Sequence, residues 1–250
     1  MQKYIVTCLM ALSPLVSLGC SEDEAETDEA TADEAAANGA TDEAETTEDS
    51  DDVETTVAAE QPAELGFFVT STGSGADGGN IGGLTGADSK CQRLAAAVGA
   101  GARTWRAYLS TTTENARDRI GDGPWFNAAG EQVATDVASL HADGLSNGDP
   151  QHMMDENGDA VPGPQHDIFT GSNDDGELFL DAAGLAHTCN DWSSSSNDAA
   201  AVPGPHVGHS DIPGNPMFSP SWNNAHDAPA CDPMSIAMVG GAGRLYCFAL

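Results

Sequence analysis

The sequence predicts an α+β domain with few helices, short and mostly antiparallel strands, and one long loop region stapled by a disulfide. Three observations lead there. Aromatic and β-branched runs stand at both ends of residues 65–250, at Gly66 to Thr70 and Arg244 to Phe248. Apolar residues at helical spacing occur early, around Cys91. From Asp136 to Ser235 neither period is sustained, yet Cys189 and Cys231 fall within that stretch, which suits an ordered, cross-linked loop region better than a disordered one.

In chain order, Gly66-Phe67-Phe68-Val69-Thr70 predicts a first strand, and residues 73–83 a glycine-rich loop. Thr85 can cap a helix, with Asp88 in its favourable first turn. Cys91, Leu94, Ala95 and Val98 make one apolar face, and Gly99 ends the helix. Trp105 to Leu109 predicts a second strand and Thr113 to Ile120 a short helix. Trp125-Phe126-Asn127 and Gln132-Val133-Ala134 flank a turn at Gly130, the pattern of a hairpin. Within the loop region, short strands are expected at Ile168-Phe169-Thr170 and near Val207. Arg244 to Phe248 is the final strand.

The first residues predict a different fate. Lys3 is a positive n-region, and Tyr4 to Val16 is an apolar run too short to span a bilayer. It ends in Val16-Ser17-Leu18-Gly19-Cys20, which resembles a bacterial lipobox, with Ser17 where that pattern prefers Leu. The resemblance implies cleavage of residues 1–19 and acylation of Cys20, hence an extracytoplasmic, lipid-anchored protein. In Gram-negative lipoproteins an aspartate after the cysteine marks inner-membrane retention; Ser21 stands there instead, so the outer membrane or cell surface is expected. An oxidising compartment also permits disulfides.

Residues 21–64 hold 18 acidic residues and no Lys or Arg. With no apolar period to offset ordering entropy, residues 20–64 are expected to be a disordered tether with a span of roughly 35–40 Å. The chain carries a net charge of −32, which excludes nucleic acid as a partner, because phosphate binding needs a basic patch. Residues 65–250 are long enough for one self-sufficient core.

Four cysteines in that domain allow three pairings, and spacing alone does not choose. GNIGGLTGADSKCQRLAAAVG, WRAYLS, ARDRI, FTGSNDDG, CNDWSS, VGHSD and RLYCF, in that order, resemble a family of secreted bacterial domains with a C-type-lectin-like fold, related to C-type lectins and endostatin. Its members are often lipoproteins, and most have no assigned function. The resemblance implies Cys91 with Cys247 and Cys189 with Cys231.

Candidate chemistry is sparse. Lectins of this fold bind calcium through Glu-Pro-Asn or Gln-Pro-Asp, both missing here, and through Trp-Asn-Asp, which Trp222-Asn223-Asn224 resembles with an amide in place of the last carboxylate. Trp222, Asn223 and Asn224, with Trp192 in the same loop region, are the candidate ligand contacts, against a structural role beside turns. Asp174, Asp175 and Glu177 offer oxygen ligands for a structural calcium, although Asp-Gly is primarily a turn signal; no other cofactor is implied. Asp155 to Asp159 alternates oxygens like an EF-hand but has Ala160 where glycine is required. His206 and His209, with His187 and His226, have the chemistry of zinc ligands without finger-like spacing, and scattered loop histidines are the simpler reading. Val161-Pro162-Gly163-Pro164-Gln165-His166 is echoed by Val202-Pro203-Gly204-Pro205-His206. No phosphate-cradling Gly-Lys-Ser/Thr loop is present.

The expectation is a non-catalytic binding or adhesion module for a glycan or protein ligand, held to a membrane by its lipid. The alternatives are a structural envelope lipoprotein without a soluble ligand and, third, a metal-dependent hydrolase built on the histidines.

Overall fold

The computed structural model describes residues 64–142, 145, 150–211 and 221–250. The leader, Cys20 and the acidic residues to 63 lie outside them. Among the described residues, no helix is long and apolar enough to cross a membrane.

Strand β1 (Phe67–Val69) is buried at every position. Helix α1 (Gly83–Ala97) starts two residues before the expected Thr85. Gly82 takes the cap position at φ 80°, a left-handed conformation that costs glycine nothing sterically. Asp88 thus sits past the first turn and does different work. Ala87, Cys91 and Ala95 form the buried face, and Gly99, at φ 85°, ends the helix as expected. Strand β2 (Trp105–Ala107) is shorter than predicted. The helix expected from Thr113 is only a 3-10 turn, Ala116–Asp118. Upstream, the Thr111 hydroxyl accepts from the amides of Thr113 and Glu114, a local side-chain turn that competes with helix.

Strands β3 (Trp125–Phe126) and β4 (Gln132–Ala134) make the expected hairpin. Helix α2 (Val137–Ala142) lies where loop was expected; Asp136 accepts from the Ser139 amide and starts it. Strands β5 (Asp167–Phe169) and β6 (His206–His209) occur where short strands were predicted. Between them, the single turn α3 (Cys189–Trp192) is left-handed, with φ between 50° and 66° at four successive non-glycine residues. Such a turn is steically costly for L-residues. It is held by a disulfide at Cys189, by the Thr188 hydroxyl accepting from the Asp191 amide, and by the Trp192 indole donating to the Ser110 carbonyl. Strand β7 (His226–Asp227) and helix α4 (Pro233–Ala237), capped by the Asp232 carboxylate, lead into strand β8 (Gly241–Ala249).

The main sheet runs β1-β8-β5-β6-β7, with β2 also paired to β8. Every pairing is antiparallel except β5 with β8. Phe67 stands opposite Phe248 in β1 and β8, and Ala107 opposite Cys247 in β2 and β8. Alternation along β8 sends Tyr246 and Phe248 into one apolar cluster, with Phe67, Tyr108, Trp125 and Trp222, and Leu245 and Cys247 into the other, with Phe68, Trp105, Phe169 and Trp192. The sheet is therefore covered on both sides, and the class is α+β with few helices.

Cys91 bonds Cys247, joining α1 to β8, and Cys189 bonds Cys231, the pairing that the resemblance implies. The loops have their own local fasteners. Asn127, Asp155, Asn173 and Asp181 each begin the pattern Asn/Asp-x-x-Gly-x. In all four, the side-chain Oδ1 accepts from the amides two and four residues on. The amide of the first residue donates to the fifth carbonyl, and the glycine has φ between 75° and 87°. Each is a small hairpin whose turn needs glycine's left-handed freedom and an Asx acceptor. The two oxygen-rich segments considered for calcium, at Asp155 and at Asn173, are two of these turns.

Candidate functional site

The last three strands of the main sheet gather five of the seven histidines. Asp167 of β5 pairs in register with His209 of β6, and its carboxylate is fully buried. Three imidazoles face it through Nε2: His166 at 3.1 Å and His209 at 3.5 Å from Oδ1, and His226 at 3.5 Å from Oδ2. The rings pack edge to face, with centroids 5.2 Å apart for His166 and His209 and 5.0 Å for His209 and His226. No backbone amide or hydroxyl among the described residues donates to either Asp167 oxygen. The hydrogen bond to Asp167 raises the pKa of His226 against the opposing effect of its burial. Burial pushes the Tyr246 hydroxyl well up, and the negative charges of Asp167 and Asp211 add to it.

The next residue along β7 serves a second cluster. The Asp227 carboxylate lies 2.6 Å from Nδ1 of His206 and 3.2 Å from Nδ1 of His187. His206 Nε2 is 2.7 Å from the Asn224 side-chain oxygen, and Phe179 stacks flat on the His206 ring at 3.7 Å. His187 also reaches Asp181 of the fourth Asx turn. These histidines are thus not scattered over loops. They stand on adjacent strands or against them, and His226-Asp227 links both groups.

The residues expected to contact a ligand lie elsewhere. Trp192 and Trp222 are core side chains, fully buried or nearly so. Trp222 packs against Tyr108 and Tyr246, and Trp192 stacks on Phe169, so neither indole face is free for a ligand. Asn223 is buried too, its amide donating to the Tyr108 hydroxyl and the Asn173 carbonyl. Asn224 belongs to the His206 cluster. Asp174 Oδ1 accepts from the Ser221 hydroxyl, Asp175 offers its carbonyl to Arg117, and Glu177 closes the Asx turn with its backbone. Asp174, Asp175 and Glu177 are not among the carboxylates and imidazoles that converge; among the described residues, that group is His166, Asp167 and His209, whose ligand atoms lie within 4.8 Å of one another.

Sequence reasoning missed His166 and Asp167 as partners of the other histidines. One signal was available: the two Val-Pro-Gly-Pro segments deliver His166 to the start of β5 and His206 to the start of β6, strands that pair antiparallel.

A separate surface lies beside the left-handed turn. Thr112, Ala186, Thr188, Asp191, Val202 and Pro203 line a groove of about 230 Å³. The fourth Asx hairpin stands next to it and holds Leu180 and Leu185 each 51% exposed.

No protein-family model matches the chain, and no curated protein matches it.

Proposed function

We propose that this chain is a surface-tethered extracytoplasmic lipoprotein whose C-type-lectin-like domain is a non-catalytic binding module for a protein or glycan ligand. The observation that carries this reading is the Leu180–Leu185 hairpin beside the groove at Thr112 and Asp191. Two large apolar side chains kept half exposed on a rigid turn cost solubility without serving the core, and their exposed area is available for contact with a partner. The left-handed turn at the groove adds a second sign, since costly backbone geometry is retained where structure serves a task. The fold assignment is supported by the pairing of the first and last strands, by the bond from α1 to β8, and by the inner bond across the loops. The lipobox-like Cys20 and the acidic segment support the tether.

A structural envelope role has one specific point in its favour: Met234 and Met238, one turn apart on and just after α4, are each 75% exposed and suit lateral packing against another protein. The experiment separates the two surfaces. The full chain with Cys20→Ser, to keep it soluble, is applied to glycan and extracellular-protein arrays. Binding abolished by Leu180→Asp with Leu185→Asp, and untouched by Met234→Asp with Met238→Asp, is the expected result. No ligand on any array, or loss only with the methionine pair, refutes the proposed face.

A further inference from the structure

The imidazoles around Asp167 pose a charge problem that their geometry resolves. A buried carboxylate that faces no donor except imidazoles is costly unless a cation compensates it. The nearby groups are imidazoles, and the backbone fixes the tautomer of two of them. His166 Nδ1 lies 2.5 Å from the Gly163 carbonyl, and His226 Nδ1 lies 3.4 Å from the Asp227 carbonyl. A carbonyl only accepts, so each Nδ1 carries its hydrogen toward it. In the neutral ring this leaves a lone pair on Nε2. Both Nε2 atoms point at Asp167, at 3.1 and 3.5 Å. Lone pair against carboxylate is repulsive, and a cation held between them converts the repulsion into ligation.

The spacing fits such a cation. Zinc bonds imidazole nitrogen and carboxylate oxygen at about 2.0–2.1 Å in a tetrahedron, which places neighbouring ligand atoms about 3.3 Å apart. The two distances to Asp167 Oδ1, 3.1 Å from His166 and 3.5 Å from His209, bracket that edge, and His226 faces Oδ2 at 3.5 Å. Donation of the second ring N–H to a backbone carbonyl is also how metal-bound histidines are commonly oriented. Borderline nitrogen and oxygen donors suit zinc and its transition-metal neighbours rather than calcium, which prefers oxygen alone. His166 and His226 are about a third exposed, so an ion has a path in.

We propose that His166, Asp167, His209 and His226 form a site for one zinc-class divalent cation. His166, Asp167 and His209 supply the converging atoms, and His226 closes the fourth position from β7. Four protein ligands leave no open position for substrate, so the ion is structural. It fastens β7 to β5 and β6, where β7 itself contributes only two paired residues. This site shares no residue with the Leu180–Leu185 face and does not depend on the binding reading.

The test uses the full chain, stripped with chelator and titrated with zinc by calorimetry and with cobalt by absorbance. The expected result is one tight zinc per chain, tetrahedral cobalt bands, and a higher unfolding temperature with zinc. His166→Ala, His209→Ala and Asp167→Asn each weaken binding about 100-fold or more, since even outer partners of metal ligands are worth 10–100-fold. His226→Ala, on the exposed rim, retains the fold and alters the cobalt spectrum. His187→Gln, in the neighbouring cluster, leaves affinity unchanged. Only weak, non-stoichiometric uptake by the acidic segment, a stripped wild type that shows no tetrahedral cobalt band, or loss of binding in His187→Gln with retention in His209→Ala overturns the proposal.

Discussion

Replacing Asp88 with alanine should destabilise this domain strongly although the side chain is partly exposed. Asp88 projects from α1 and accepts from Arg119 Nη2 at 2.7 Å through both oxygens, from Arg106 Nη1 at 2.8 Å, and from the Ala107 amide at 2.9 Å. The Arg119 side chain is only 2% exposed, and its remaining partner, Glu114, is 3.4 Å away and half exposed. Losing one partner of a buried pair costs about 3–5 kcal/mol, because the other charge stays behind. The residual contact with Glu114 favours the lower end of that range. The orphaned Ala107 amide adds about 1 kcal/mol, for a total of about 4 kcal/mol. Arg106 contributes little, since its side chain is 44% exposed. Asp88→Asn keeps an acceptor for the amide and loses only the charge, so about half that cost is expected. The double change Asp88→Leu with Arg119→Met should fall within about 1–2 kcal/mol of wild type, because apolar pairs replace buried ion pairs without great loss. Urea unfolding followed by tryptophan fluorescence, with disulfides intact, measures all three variants. A loss below about 1 kcal/mol for Asp88→Ala, or a double variant as unstable as the single one, refutes the reasoning.

Two further outcomes follow from the same structure. The Cys91–Cys247 bond closes a separation of 156 residues and Cys189–Cys231 one of 42, so loop entropy assigns them about 5 and 4 kcal/mol. All four cysteines are fully buried, so paired alanine replacements leave similar cavities and the urea midpoint should fall further for the outer pair; the opposite order would count against the entropic account. Burial, then the charges of Arg93 and Arg244, lowers Lys90 to about 8, while its ammonium donates to the Gly73 carbonyl. The unfolded chain, at 10.5, then holds more protons than the folded one between those values. Keeping Lys90 charged opposes folding fully below pH 8, and that opposition fades as pH rises. Stability should climb by about 1–2 kcal/mol from pH 8 to 9.5. Lys90→Met should flatten the climb in pH-dependent urea melts, and an unchanged slope would exclude Lys90 as its source.

What the sequence made legible was whatever rests on local pattern. Phe67 to Val69 and Leu245 to Phe248 alternate onto two buried faces, and that aromatic density reads as strand without further help. The hairpin at Gly130 was legible because its turn chemistry is contained in five residues. The α1 start was misplaced because Thr85 looks like a cap, whereas the chain uses Gly82 in a conformation that only backbone context demands. The histidine site was illegible for a different reason. Its residues come from three strands, and what brings Asp167 opposite His209 is a register across 42 positions that no local spacing encodes. Trp192 and Trp222 looked like contacts because both lie in the loop region and Trp222 opens a lectin-like Trp-Asn-Asn, yet the large apolar area of an indole decides its place, and both went inside.

The position of β8 governs the time course of folding. It is the last strand of the chain, and β1, β2 and β5 all hydrogen-bond to it, so the first strand waits for residues near 248 before it has any partner in the sheet. A topology dominated by such distant pairings folds slowly, because loop closure precedes the contacts that reward it. The four Asx turns can form alone on the microsecond scale of hairpins, and the one at Asn127 closes the separate β3–β4 pair, but β1 and β2 have no place in the main sheet until β8 is there. Until then Phe67, Phe68, Trp105 and Tyr108 remain uncovered, and the nascent chain is an aggregation hazard for as long as its final nine-residue strand is missing.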